Sequence, residues 1–118
     1  MPCWDLLIDR QDLRRTQVRT AERPALESGE VRLAVERLAL TANNVTYGLM
    51  GDSFGYWKFF PAPEGFGRIP AWGFARVIES TARDAPVGLR LFGYLPMSSE
   101  VVMRLSRTRT GFLDAAAH

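Results

Sequence analysis

Four residues with hydrogen-bonding side chains lie within five consecutive positions: Asn43, Asn44, Thr46 and Tyr47. Amides and phenols both donate and accept hydrogen bonds, so such side chains can hold a substrate carbonyl or a nicotinamide ribose. Residues three or four positions apart share one face of a helix, so Tyr47 could lie beside Asn43 and Asn44. These four residues are therefore candidates for positioning a small molecule.

Structural roles compete with this interpretation. Asn is favoured in turns and at helix N-termini, where its side chain bonds to nearby backbone, so Asn43 and Asn44 could simply begin a helix. Tyr47 could be a half-buried residue whose hydroxyl reaches the surface. The sequence leaves both interpretations open.

A second set of candidates lies in residues 52–70, a long loop that is rich in aromatic residues. Loops of this length inside a compact domain tend to be functional when they are ordered. Tyr56, Trp57, Phe59 and Phe60 form its densest cluster. Aromatic rings stack on flat ligands, and Tyr and Trp add a polar group, so Tyr56 and Trp57 are candidates for binding substrate. The alternative is packing, and we expect Phe59 and Phe60 in the core.

Other catalytic chemistries lack the residues that they need. Cys3 is the only cysteine, which excludes a disulfide and a Cys-based zinc site. The only histidine, His118, is the last residue, so we expect no nucleophilic triad. Asp5 and Asp9 are expected at the surface of a strand. The GFG run at 65–67 lies in a Pro-rich loop with no following helix, so it is not a dinucleotide motif.

Composition and charge indicate one soluble globular domain. The chain has 118 residues, of which 47% are hydrophobic and 24% charged. Its net charge of +2 comes from 15 basic and 13 acidic residues spread along the chain, so we expect no nucleic-acid partner. No apolar run reaches the roughly 18 residues of a membrane span, and no signal peptide is evident. We expect a cytoplasmic protein.

Alternating apolar residues predict six short strands around one helix. We expect Thr41 to cap a helix over about 43–50, which Gly51 would end. Trp72 and Phe74 alternate in a strand, so we expect one face to bury both. This pattern is typical of a small β-barrel or sandwich. The predicted strands cover residues 4–9, 16–22, 30–40, 71–81, 89–94 and 100–105.

The order of these segments resembles the N-terminal domain of the zinc-free, quinone oxidoreductase-like medium-chain dehydrogenase/reductase superfamily. SGEVRLAVERLALTANNVTYGLMGD, residues 28–52, is similar to that family's strand, Asn-containing turn, short helix and Gly. IPAWGFARVIES and VGLRLFGYLP resemble its later strand and hairpin. The similarity spans about 27–103. The segments NNxTYxxxGD, YWxFFPAPEGxGRxPxWGFA and FGYLP look closest to an uncharacterised branch, a domain of unknown function.

The resemblance implies a mainly β fold: a GroES-like, partly open β-barrel with one short helix and a long aromatic-rich loop. Residues 1–118 would form a single domain, with a core over about 1–105. Residues 106–118 would lead toward a Rossmann domain that this chain does not contain. With the resemblance, Asn44 and Tyr47 become the expected catalytic residues, and Asn43, Thr46, Tyr56 and Trp57 the expected substrate-binding residues.

The sequence departs from the zinc-dependent relatives at the metal positions. Those relatives place a Cys in the turn after the strand and a Glu in the later strand. Here the turn holds Asn43 and Asn44, and the Glu position falls at about Gly73. Leu89 replaces the acid of the family's hairpin. We therefore expect no zinc.

Two functions remain open. In the first, the chain is the substrate-side domain of a zinc-independent, NAD(P)H-dependent carbonyl or enone reductase and is inactive alone. NADPH would bind only in a two-domain parent, and the isolated chain would hold no cofactor. In the alternative, the chain is a non-catalytic orphan barrel for binding or assembly. An exposed aromatic surface would then favour homo-oligomers.

Overall fold

The computed structural model describes residues 3–115, which form a mainly β fold with one α-helix. No helix in this range is long and apolar enough to span a bilayer. His118 lies outside the described residues. The helix α1 covers Ala42–Leu49. The strands are β1 (Trp4–Asp9), β2 (Thr16–Thr20), β3 (Val31–Leu38), β4 (Phe66–Gly67), β5 (Pro70–Ser80), β6 (Arg90–Pro96), β7 (Glu100–Met103), β8 (Leu105–Arg107) and β9 (Phe112–Asp114).

The strands form three antiparallel sheets that do not close on themselves. The largest has the order β6-β5-β3-β7, the second has the order β2-β1-β4, and β8 and β9 form a two-stranded pair. This confirms the predicted mainly β, partly open architecture. The six predicted strands and the helix all occur with small shifts at their ends, whereas β4 and the β8–β9 pair were not predicted.

The first core lies on one face of the large sheet. On β5, Ala75 and Val77 are fully buried, and Arg76 between them is exposed on the other face. Side chains alternate across a strand, so one face of β5 supplies small core residues and the other meets solvent. The buried members of this core are Val31, Leu33, Ala75, Val77, Ala85, Leu95 and Met103.

The prediction that β5 buries Trp72 and Phe74 is therefore wrong. Trp72 is 45% exposed and Phe74 is 37% exposed. The alternation correctly put both rings on one face, but the opposite face, with Ala71 and Ala75 at 0% exposure, is the one that the core covers.

A second core forms beside β1 around Trp57, together with Ile8 and Ile69. Trp57 is only 3% exposed. Two glycines make room for its ring: a Cβ at Gly51 would lie 2.2 Å from it and one at Gly67 would lie 2.3 Å from it. The guanidinium carbon of Arg10 lies 5.5 Å from the ring centroid, a distance suited to a cation–π contact.

Asp5 is buried at 4% exposure, which overturns its predicted surface position. Arg68 Nε donates to both carboxylate oxygens at 2.9 and 3.0 Å, and Ser98 Oγ donates to Oδ1 at 2.5 Å. Burial alone would raise the pKa of Asp5. The hydrogen bonds from Arg68 and Ser98, with the charges of Arg68 and Arg19, outweigh it and hold the pKa below its ordinary value.

The segment predicted to leave the domain, residues 106–118, contributes to the fold within its described part. Strand β9 pairs with β8, and Leu105 stands opposite Asp114. Leu105 and Phe112 both pack against the first core. Residues 116–118 lie outside the described range.

Candidate functional site

The helix α1 carries the first set of candidate residues, and its N-terminus forms as predicted. Thr41 Oγ1 accepts a hydrogen bond from the backbone N–H of Asn43 at 3.2 Å. The backbone N–H of Thr41 donates to Asn44 Oδ1 at 2.6 Å. This reciprocal capping satisfies backbone groups that the first helical turn leaves unpaired.

Asn44 also ties α1 to β5. Its side chain is 9% exposed, and Nδ2 donates to the carbonyl oxygen of Pro70 at 3.1 Å. Both ends of the amide are therefore engaged by backbone, which gives Asn44 a structural role. Its predicted catalytic role stays a prediction.

Asn43 and Thr46 are exposed on α1. No hydrogen bond or ring contact within the described residues joins either side chain to an aromatic ring. Their predicted substrate-binding role stays a prediction.

Tyr47 is half-buried and lies between two other tyrosines. Its ring centroid is 4.8 Å from that of Tyr56 and 5.6 Å from that of Tyr94. The structure thus brings together Tyr47 and Tyr56, which the sequence predicted in separate segments, and adds Tyr94, which it did not predict.

Strands β5 and β6, which carry Tyr94, add three more aromatic rings to the same region. In the register of the two strands, Trp72 stands opposite Tyr94 and Phe74 opposite Phe92. The ring centroids of these pairs are 4.1 and 5.0 Å apart. Diagonally, Trp72 and Phe92 stack at 5.5 Å with planes only 14° apart. Cross-strand aromatic pairs of this kind stabilise a sheet and line up their rings on one face.

We call the resulting connected set of eight rings the aromatic surface. Its members are linked by ring contacts with centroids no more than 6.4 Å apart. They are Tyr47, Phe54, Tyr56, Phe59, Trp72, Phe74, Phe92 and Tyr94.

Several of these rings are open to solvent. Phe54 is 67% exposed, Phe92 is 62% exposed, and Phe59 is 43% exposed. The outer face of an antiparallel sheet is usually polar. A contiguous apolar patch on such a face is typical of a binding site or an interface.

One predicted position in the aromatic loop is corrected by the structure. Phe59, expected in the core, is exposed and belongs to the aromatic surface, whereas Phe60 is half-buried and packs against the first core as expected. Trp57 lies inside the second core, and its substrate-binding role stays a prediction.

Phe92 and Tyr94 were not predicted as site residues, and Trp72 was predicted in the core. A signal was available: both strands carry two aromatics at alternate positions, W-x-F in β5 and F-x-Y in β6. When such strands pair, the rings meet on one face. That pairing, however, depends on a register that single strands do not specify.

Tyr94 lies near the middle of the aromatic surface, and its phenol has a raised pKa. Burial, followed by the neighbouring hydroxyl of Tyr47, raises the pKa of Tyr94 to about 12, although a hydrogen bond with Trp72 opposes the shift. A phenol with this pKa stays neutral at physiological pH. It can therefore donate a hydrogen bond, and it does not serve as an ionised base.

Charged groups flank the aromatic surface at one end. The guanidinium carbon of Arg90 lies 4.5 Å from the ring centroid of Phe74. Glu36 accepts hydrogen bonds from Arg90 Nε at 3.0 Å and from Arg76 Nε at 3.4 Å. The positive charges of these arginines are thus balanced in part by one carboxylate, and the rings remain the main feature of this face.

A cavity of about 530 Å³ adjoins the aromatic surface. Phe59, Phe92 and Tyr94 belong both to its lining and to the aromatic surface. The apolar side chains of Leu91, Leu105 and Phe112 line it elsewhere. Cavities of this size accommodate small organic ligands.

The described residues do not fit a catalytic zinc. Within residues 3–115, no group of three or more His, Cys, Asp and Glu side chains is placed to hold a metal. At Gly73, where the resemblance to the dehydrogenase/reductase superfamily would place a metal-binding Glu, a Cβ would lie 2.0 Å from the carbonyl oxygen of Arg37. The close approach of β3 to β5 leaves no room for any side chain there.

The described residues also do not fit the pyrophosphate of a dinucleotide. That group is normally held by a glycine-rich turn between a strand and the N-terminus of a helix. Gly55 leads only into the three-residue 3₁₀ turn Tyr56–Lys58. Gly65 leads into β4, and the one α-helix in residues 3–115 begins at a Thr cap.

Comparison with protein families places the aromatic surface in a wider context. Residues 38–118, more than half of the chain, match the family described as "Protein of unknown function (DUF2855)". The chain belongs to this family. All eight rings of the aromatic surface lie inside the DUF2855 match. No match was found among curated proteins.

Proposed function

We propose that this DUF2855 chain is the substrate-side domain of a zinc-independent, NAD(P)H-dependent reductase of carbonyls or enones. The observation that carries the proposal is the group of three phenols, Tyr47, Tyr56 and Tyr94, set in a partly exposed aromatic surface. The resemblance to the zinc-free dehydrogenase/reductase superfamily supplies the reaction class.

The chain's own residues account for substrate binding in this proposal. The rings exclude water from one side of a flat substrate, which strengthens any hydrogen bond made there. A phenol donates to the substrate carbonyl oxygen, where negative charge grows during reduction. Asn44 holds α1 against β5 and so keeps Tyr47 beside Tyr94.

The nicotinamide cofactor supplies the hydride when it is bound by a dinucleotide-binding domain. Since the described residues do not fit its pyrophosphate, the proposal requires that domain from elsewhere, and the 118 residues alone are expected to be inactive. The aromatic surface would then face the second domain and form one wall of the cleft.

The test begins with the protein isolated from its own cells through an affinity tag. We expect this species to oxidise NADPH or NADH in the presence of a panel of enones and aryl ketones, with or without a metal chelator. Tyr47→Phe should lower kcat/KM by about tenfold or more, because it removes a hydroxyl that donates to the developing oxyanion or orients the neighbouring phenol that does. Val18→Ser, a change on the exposed strand β2, serves as the control and should leave kcat/KM unchanged.

Two results would contradict the reductase. One is an isolated species that oxidises neither nicotinamide with any member of the panel. The other is a Tyr47→Phe variant as active as the Val18→Ser control.

An interaction module is the second candidate function, and one observation favours it. Strand β6 is an edge of the large sheet, so it carries Phe92 and Tyr94 beside backbone groups open to pairing. Such an edge next to an apolar patch suits docking of another protein chain. Intact-mass measurement of the tagged protein separates the two candidates: a species near 13.3 kDa that copurifies with a protein partner favours the module.

A further inference from the structure

Tyr94 occupies a position that distinguishes it from the other two tyrosines of the aromatic surface. Its ring contacts Trp72 at 4.1 Å on β5, Tyr47 at 5.6 Å on α1 and Phe59 at 5.6 Å in the loop. It therefore joins all three structural elements of the site. Among the described rings, neither Tyr47 nor Tyr56 contacts Trp72, Phe74 or Phe92.

The neighbouring sheet rings provide a stacking site for a flat molecule. Trp72 and Phe92 are nearly parallel, and both are open to solvent, at 45% and 62% exposure. Aromatic rings bind other rings best by offset stacking, with an apolar contact area larger than that of an aliphatic side chain. Phe92 and Tyr94, but not Trp72, also line the neighbouring cavity of about 530 Å³, a size that accommodates a small organic ligand.

We infer that the site selects planar aromatic ketones, with the ligand ring stacked on Trp72 and Phe92 and the Tyr94 hydroxyl donating to the ketone oxygen. This inference rests on the proposed function, since it names the substrate class of the same site. It assigns the specificity-determining hydrogen bond to Tyr94 and leaves Tyr47 to support it.

One observation favours Tyr94 over Tyr47 as the donor. Among the described tyrosines, Tyr94 is the one whose ring contacts Trp72, so it is the phenol next to a ligand stacked there. Tyr47 hydrogen-bonds to Tyr94 and so supports it.

A ligand pair and a variant pair test the inference with the 118-residue chain. The probes are 2-acetylnaphthalene and 2-ethylnaphthalene, which have nearly the same shape and differ in one carbonyl group. Affinity is measured by quenching of tryptophan fluorescence. The wild type should prefer the ketone by about two- to tenfold, the usual worth of one neutral hydrogen bond. Tyr94→Phe should abolish the preference while keeping the affinity for 2-ethylnaphthalene, and Tyr47→Phe should retain it.

A second measurement does not depend on whether the variants fold. The probe is 2-acetylnaphthalene labelled at the carbonyl carbon and bound to the wild type. Isotope-edited infrared spectroscopy should show its C=O stretch at a lower frequency than that of the same ketone in an apolar solvent, where no hydrogen bond forms. An unshifted stretch would overturn the inference.

The remaining outcomes separate this inference from the reductase. If Tyr94→Phe keeps the preference for the ketone, or if only Tyr47→Phe loses it, Tyr94 is not the donor. Neither result contradicts the proposed reductase function. If neither naphthalene derivative binds, the inference that the aromatic surface binds planar ligands is contradicted. If the 118-residue chain binds the ketone through Tyr94 but the protein isolated from its own cells shows no reductase activity, the binding site is supported and the proposed reaction is contradicted.

Discussion

Trp57 and Trp72 come from the same aromatic stretch of sequence, yet they occupy opposite environments. Trp57 is 3% exposed and fits between two glycines in the second core. Trp72 is 45% exposed and contacts mainly other rings of the aromatic surface. Packing in the core explains the Trp57 ring. The Trp72 ring leaves apolar area exposed to water, where it contributes little to the free energy of folding.

The same contrast extends to the polar groups around each ring. On the β1 side, the buried carboxylate of Asp5 is matched by Arg68 and Ser98. Within the described residues, no buried side-chain nitrogen or oxygen lacks a hydrogen-bond partner. The aromatic surface is open to solvent and adjoins a cavity of about 530 Å³, whereas Asp5, Arg68 and Ser98 line a smaller cavity of about 270 Å³. The polar groups of the β1 side are paired with one another, whereas the exposed rings of the aromatic surface are free to contact a ligand.

The largest expected effect comes from removing the buried ring. Trp57→Ala should lower the free energy of unfolding by about 3–5 kcal/mol, because it leaves a cavity in the second core. Trp72→Ala is the matched control and should cost less than about 1.5 kcal/mol, the scale of its aromatic contacts. Urea unfolding followed by circular dichroism measures both. Equal losses would remove the distinction between the two regions.

Breaking the buried ion pair should have the next largest effect. Asp5→Asn keeps the size of the side chain but leaves the charge of Arg68 without its partner, which should cost about 3 kcal/mol near pH 7. Asp9→Asn on the same strand is the control, since Asp9 only accepts a hydrogen bond from the backbone of Gln11. A change within about 0.5 kcal/mol is expected there.

The dependence of the free energy of unfolding on pH, below about pH 5, gives an independent test of the role of Asp5. Its pKa is lower in the folded state than the unfolded value of about 3.9, so its contribution is present above that pH. The contribution is lost as the pH falls through the folded pKa. Asp5→Asn should therefore show a shallower loss of stability below about pH 4 than the wild type. Parallel acid curves would show that Asp5 is not the group responsible.

Substitution of one glycine in each region should have a smaller effect on stability. A Cβ at Gly51 would lie 2.2 Å from the Trp57 ring, whereas one at Gly93 on β6 would meet no atom within 4 Å. Gly51→Ala should destabilise the protein by about 1–3 kcal/mol through overpacking. Gly93→Ala should be neutral or slightly stabilising, because it restricts the unfolded chain. Thermal unfolding of the two variants, compared with the wild type, would contradict this if the order were reversed.

Much of the fold could be predicted because its signals are local. The alternation of Val31, Leu33 and Val35 predicted β3, and Thr41 predicted the start of α1. These patterns depend only on neighbouring residues and on the period of each element.

The site could be predicted only in part because its contacts join distant segments. Asp5 appeared to be a surface residue because its partner, Arg68, lies 63 positions away. Trp72 was placed in the core because alternation shows which residues share a face but not which face is covered. Tyr94 became visible only when β6 paired with β5. Nonlocal pairing carries this information, and no single stretch contains it.

The smallest expected effect on stability comes from the aromatic surface itself. Phe92→Ser, at a ring that is 62% exposed, should change the free energy of unfolding by less than about 1 kcal/mol. The same change should clearly lower the binding of the dye ANS, which reports exposed apolar surface. Val18→Ser removes a side chain of 67% exposure from β2, away from the aromatic surface, and should leave ANS binding unchanged.

The two readouts together decide whether the aromatic surface acts as a unit. Single exposed apolar residues are common and bind little, whereas contiguous rings offer a continuous area. If Val18→Ser lowers ANS binding as much as Phe92→Ser does, the rings behave as scattered residues, and the proposed binding site loses its basis. If only Phe92→Ser lowers it, at almost no change in stability, then this face binds ligands through an arrangement that the fold does not need for its own stability.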